Sequence, residues 1–98
     1  MSVIALKLTS SEEVIGEIIS ENESAITLKN VVSVAVQQTE KGPALGFLPF
    51  MPYLPKSAQI TFDKTHVILQ HQVDEQMVNQ YNSVFGGIVT PPKTLILG

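Results

Sequence analysis

The sequence predicts a mainly β protein: a small, strongly bent five-stranded barrel followed by a C-terminal α-helix. Three observations carry this. Apolar residues alternate with a period of two along much of residues 3–73, as half-buried strands require. Gly16 interrupts an apolar, β-branched run, where glycine costs strand stability and is kept for a sharp bend or a close backbone approach. After Asp74 the apolar spacing changes to one that lines a helical face.

The first strand covers about residues 3–9, with Ile4, Leu6 and Leu8 on one side and Val3, Ala5, Lys7 and Thr9 on the other. Ser10, Ser11 and Glu12 interrupt it. The second, about 13–20, sets Ile15 and Ile19 on one face and Val14, Gly16 and Ile18 on the other, and apolar residues on both faces place it inside a sheet. Glu21 to Ser24 makes a turn. The third strand, about 25–38, changes phase at Asn30-Val31-Val32, which predicts a bulge or bend midway. These three strands form a meander. Residues 39–56 carry Gly42, Pro43, Gly46, Pro49, Pro52 and Pro55, and because proline cannot donate to a central ladder a loop or an edge excursion is expected. Two further strands, about 57–64 and 66–73, flank a tight turn at Asp63, Lys64 and Thr65. Asp74 then caps a helix over about 74–85, whose apolar stripe is Met77, Val78, Tyr81 and Phe85 and whose stop is Gly86-Gly87. An apolar tail closes residues 88–98. There is no internal repeat.

Ninety-eight residues with 44% hydrophobic composition form a single domain, small enough that association would add to its stability. A net charge of −3 excludes a wholly basic footprint for nucleic acid. All six cations are lysines. Arginine, the residue suited to bidentate phosphate and guanine contacts, is absent, which argues against sequence-specific duplex recognition. Zero cysteines exclude disulfides, thiolate metal sites and thiol nucleophiles. The opening residues lack a secretory pattern, and no apolar run reaches membrane-spanning length, so a soluble cytoplasmic protein is expected.

The segment from Gly16 to Asn30, Gly-Glu-Ile-Ile-Ser-Glu-Asn-Glu-Ser-Ala-Ile-Thr-Leu-Lys-Asn, joins a bent strand, a polar turn and a second strand. It resembles the first signature motif of the Sm and LSm family, which includes the bacterial RNA chaperone Hfq, where a Gly-x-Ile/Leu pair is followed by a polar turn, an apolar strand and a closing Asn. The resemblance implies an Sm-like, SH3-like barrel. Between the last two strands, where that family has an Arg-Gly or Lys-His step, this chain has Lys64-Thr65-His66. Its compactness also resembles that of Sm-like proteins encoded by phages.

No catalytic constellation stands out. His66 and His71 are five residues apart in an expected strand, so they point to opposite faces and share neither a metal nor a proton. They read as ordinary surface or interface histidines. No nucleophile elbow, metalloprotease motif or phosphate-cradling loop is present. An enzyme is not expected, nor any cofactor or metal.

By the resemblance, the turn Glu21-Asn22-Glu23-Ser24 faces a ring pore and contacts RNA bases. Asn22 suits a polar contact, whereas Glu23 repels phosphate and Ser24 offers no face for stacking, so a solvated hairpin turn is an equal reading. Lys64 and His66, placed beside that turn by an adjoining subunit, supply positive charge, and Thr65 between them completes the candidate contact. The expected ligand is single-stranded RNA. Leu45 to Pro55 gathers Phe47, Phe50, Met51 and Tyr53; left exposed it is a site for a protein partner, and otherwise it packs on its own barrel or a neighbouring subunit.

A five-stranded bent sheet leaves two edges with unpaired backbone groups, which proteins blunt or pair. His66 to Val73 holds no proline and no acid or lysine, so it reads as a strand built to be paired. In the resembled family the fourth strand of one subunit joins the fifth of the next, which implies a homo-oligomeric ring of roughly five to seven copies, with Ile60, Phe62, Val67, Ile68, Leu69 and His71 at the interface. The expected function is a ring-forming, non-enzymatic RNA-binding module for RNA processing or chaperoning. The alternative is an oligomeric scaffold that binds proteins and no nucleic acid.

Overall fold

A computed structural model describes residues 2–55, 58–85 and 95–96. Its elements are β1 (Val3–Leu8), β2 (Glu13–Glu21), β3 (Ala25–Thr39), β4 (Gly42–Pro49), β5 (Gln59–Asp63), a 3₁₀ turn (Lys64–His66), β6 (Val67–Gln72), α1 (Glu75–Phe85) and the two-residue β7 (Leu95–Ile96). The protein is mainly β, with one C-terminal helix.

All pairings are antiparallel, in the order β6-β1-β2-β3-β4-β7, with β5 added beside β3. The long β3 serves two neighbours in turn. Its first five residues pair with β5, Ala25 opposite Asp63 through Lys29 opposite Gln59, and its second half pairs with β4, Val32 opposite Pro49 through Thr39 opposite Gly42. The sheet is not closed, because among the described residues no ladder joins β5 to β6.

The bend has an identifiable cause. Ile15 pairs with Val32 and Glu17 with Lys29, so Asn30 and Val31 together oppose the single residue Gly16. This is the expected bulge. Asn30 takes φ of 53°, a left-handed conformation that asparagine tolerates better than most residues. At Gly16 a Cβ would lie 3.1 Å from both the Leu28 Cβ and the Lys29 carbonyl, so the missing side chain lets β3 cross close by. A second irregularity follows at Ile19.

Residues 42–49 correct the expectation of a loop. Proline is excluded from the middle of a ladder, but Pro43 and Pro49 fall at the second and last positions of β4 and leave the run 44–48 free to pair. Gly42, at φ of 111°, turns the chain from β3 into β4. The remaining prolines of the segment, Pro52 and Pro55, lie beyond the strand.

Alternation sends adjacent residues to opposite faces, and each face has its own core. Ile4, Leu6, Leu8, Val14, Ile26, Leu28 and Phe62 form the first, joined by Ile18, Val31, Phe50, Ile60 and Val67. Val3, Ile15, Val32 and Tyr81 form the other, where Met77 and Val78 of α1 cover the sheet. Leu6, Val14, Ile26, Leu28 and Tyr81 are essentially fully buried, and burying an aliphatic side chain of this size contributes about 1.5–3 kcal/mol. Asp74 starts the helix as expected: its Oδ1 accepts the Met77 N–H at 2.8 Å. The side chain of Phe85, the stop at Gly86-Gly87 and most of the tail 88–98 lie outside the described residues.

Candidate nucleic-acid interface

Two turns meet at one end of the sheet. The β2–β3 turn is organised by Asn22, whose Oδ1 accepts the N–H groups of Ser24 at 2.8 Å and Ala25 at 2.9 Å and the Ser24 hydroxyl at 3.1 Å. Such Asx turns fix a tight connection without glycine. They also spend the side-chain oxygen, leaving only the Asn22 amide to face a ligand. The 3₁₀ turn is capped in the same manner: Asp63 Oδ1 accepts the N–H and the hydroxyl of Thr65, each at 2.9 Å. These two hydrogen bonds hold the Asp63 carboxyl below the usual aspartate range.

The pairing of Ala25 with Asp63 brings the turns together, and the Lys64 N–H donates to the Ser24 carbonyl at 2.9 Å. The contact expected between adjoining subunits is thus made within one chain, because β5 lies directly beside the start of β3. The His66 backbone also ties this turn to β1. Its carbonyl accepts the Thr9 N–H at 2.9 Å, and it closes the 3₁₀ turn instead of opening the following strand. Glu23, Thr65 and His66 are exposed.

Lys64 is not a free cation. Its Nζ donates to Glu21 Oε2 at 2.7 Å, and Gln70 Nε2 from β6 reaches the same carboxylate at 3.2 Å. The Lys64 bond, then the Gln70 bond, hold the Glu21 carboxyl below the ordinary glutamate value. The rim therefore carries three acids, Glu21, Glu23 and Asp63, beside Lys64 and His66. Glu21 enters the sequence reading only as the first residue of the turn, with no role of its own, and Gln70 does not enter it. No local pattern marks them, since 43 and 49 residues separate Glu21 from Lys64 and Gln70.

The free edges of β5 and β6 also differ from expectation in their side chains. Ile60, Phe62 and Val67, expected at a subunit interface, pack into the chain's own core. Register explains this: Ile60 pairs with Leu28 and Phe62 with Ile26, so they share the face of those residues. What β6 leaves outside is Ile68 at 63% exposure, Leu69 at 57% and His71, whose Nδ1 donates to the Gln72 carbonyl. A groove of about 300 Å³ lies on the sheet face between β6 and the start of α1, lined by Leu69, His71, Ala5, Ile15, Val34 and Met77.

The aromatic segment divides likewise. Phe47 meets Tyr81 edge-on at 6.4 Å and Phe50 lies 5.8 Å from Phe62, so both are occupied inside the chain instead of being offered to a partner. Tyr53 alone of the three aromatic residues named for that role stands clear, at 76% exposure.

Among the described residues, no three His, Asp or Glu side chains are grouped to hold a metal ion, and no helix is long and apolar enough to cross a membrane. No family model matches the chain, and no curated protein matches it.

Proposed function

We propose that this chain is a ring-forming, non-enzymatic module of Sm-like build that binds single-stranded RNA at the rim made by turns 22–24 and 64–66. The observation that carries the reading is the pair of free strand edges. Among the described residues, the path β6-β1-β2-β3-β5 ends on two strands whose outer edges have no partner, and these are covalently linked by only the three-residue turn Lys64–His66. Edges left open in this way are templates for another chain. Pairing β5 of one protomer with β6 of the next is a head-to-tail contact, and it closes into a ring when the rotation allows.

Such a ring repeats the same rim around one face. Each copy offers the Asn22 amide, the Ser24 and Thr65 hydroxyls, Lys64 and the His66 imidazole. Amides and hydroxyls hydrogen-bond splayed bases and 2′-hydroxyls, and an ammonium takes a phosphate. With one lysine per copy, binding is modest and salt-sensitive.

A second reading has its own support: the Lys64–Glu21 ion pair leaves the rim short of free positive charge, which fits a ring that serves as a protein scaffold. One experiment separates the two. Asn22→Ala and Lys64→Ala are compared with the unaltered protein for affinity to a short uridine homopolymer at low salt. Weakening in both variants supports RNA binding. Retention of the oligonucleotide with unchanged affinity removes these residues from the site, and failure of the unaltered protein to hold it favours the scaffold.

A further inference from the structure

We infer that Glu21 is a built-in competitor for the anionic ligand of this rim: its carboxylate fills the two-donor seat formed by Lys64 and Gln70, and a phosphate enters by displacing it. The inference rests on the RNA-binding reading above and adds to it the residue that sets its affinity.

Three features single out this contact. First, two donors from separate elements converge on one carboxylate: Lys64 Nζ from the 3₁₀ turn at 2.7 Å and Gln70 Nε2 from β6 at 3.2 and 3.3 Å. The other ion pairs, Lys29 with Glu17 at 3.5 Å and Lys7 with Glu13 at 3.7 Å, are longer, and their glutamates have no such second donor among the described residues. Second, the seat is pre-built. The Lys64 N–H is fixed on the Ser24 carbonyl, and β6 is fixed on β1, so neither donor's backbone moves when the acceptor changes. Third, the pair is open to exchange, because the Lys64 and Glu21 side chains are 29% and 35% exposed, and an ion pair at that depth holds its partners weakly. A carboxylate and a phosphodiester present the same kind of anionic oxygen to an ammonium and an amide.

The test compares Glu21→Gln with Glu23→Gln, which removes the same charge from the exposed turn, and with the double variant Glu21→Gln/Lys64→Ala. The probe is the uridine homopolymer at low salt. Glu21→Gln is expected to bind about threefold or more tightly than the unaltered protein, on the scale of one exposed ion pair. Its salt dependence steepens by about 0.7 per phosphate newly engaged. Glu23→Gln gains less, and the double variant loses the gain. Affinity in Glu21→Gln no higher than in Glu23→Gln overturns the inference, while weakening by Lys64→Ala alone leaves the RNA-binding reading intact. If no variant holds the oligonucleotide, that reading fails and sulfate decides the competitor role. A saturable shift of the Gln70 side-chain amide resonance in Glu21→Gln, absent from the unaltered protein, supports it. No shift in either protein, or the same shift in both, overturns it.

Discussion

The Tyr81 hydroxyl, carried by the C-terminal helix, donates to the Asn30 carbonyl at 2.6 Å and thereby ties the helix to the bulge that bends β3. Asn30 is the left-handed residue opposite Gly16, so the phenol fastens the part of the sheet where the ladder is broken. Burial, and secondarily the Glu17 charge, push the phenol's titration upward, so it remains a donor at any physiological pH. Tyr81→Phe keeps the ring against Phe47 and removes only the donor. The expected loss is about 1–3 kcal/mol, which for a chain of this size lowers the thermal midpoint by several degrees. An unchanged midpoint would mean that the bulge holds without the phenol's hydrogen bond.

Gly16→Ala tests the other side of that crossing. The new Cβ meets backbone at 3.1 Å from the Lys29 carbonyl and the Leu28 side chain at the same distance, so strands must separate to admit it. Overpacking of this sort costs about 1–3 kcal/mol. Urea unfolding measures it, and a variant as stable as the parent would show that β2 and β3 do not need their close approach.

Much of this architecture is legible in the residues. Alternation locates β1, β2, β3, β5 and β6, the phase change at Asn30-Val31-Val32 marks the bulge, and Asp74 marks the helix start, because each is a local signal. β4 is hidden by Pro43 and Pro49, since the count of prolines overrides the alternation of 44–48 until pairing shows that both sit near strand ends. Side-chain direction is hidden for a different reason. Period two says that Ile60 and Phe62 share a face but not which face meets the core; that depends on their pairing with Leu28 and Ile26. The Glu21 contacts join residues distant in sequence and leave no local trace.

Acid weakens the rim. Glu21 and Asp63 both titrate below their ordinary values of 4.5 and 3.8 when folded. A carboxyl depressed in the folded state contributes stability that is present above its unfolded pKa and is lost as pH falls through the folded one. The thermal midpoint is therefore expected to hold steady near neutrality and to decline below about pH 4.5. Glu21→Gln removes part of that decline. A Glu21→Gln variant with the same acid limb as the parent would show that the Lys64 and Gln70 contacts are not maintained in solution.

In the proposed ring, the exposed pair Ile68 and Leu69 is the place to disturb association without disturbing the fold. Neither belongs to the two core clusters, so lysine at either position leaves far-ultraviolet circular dichroism unchanged. Charge on an edge strand opposes pairing. Leu69→Lys is expected to shift the assembly toward single chains in size-exclusion chromatography. An assembly of unaltered size would move the interface away from β6.

The mass of the full chain in solution tests the edge-pairing ring most directly. Sedimentation equilibrium is expected to give one closed species of roughly five to seven copies of the 10.7 kDa chain. A monomer at all concentrations measured would contradict the account, because both free edges would then be shown to stay unpaired.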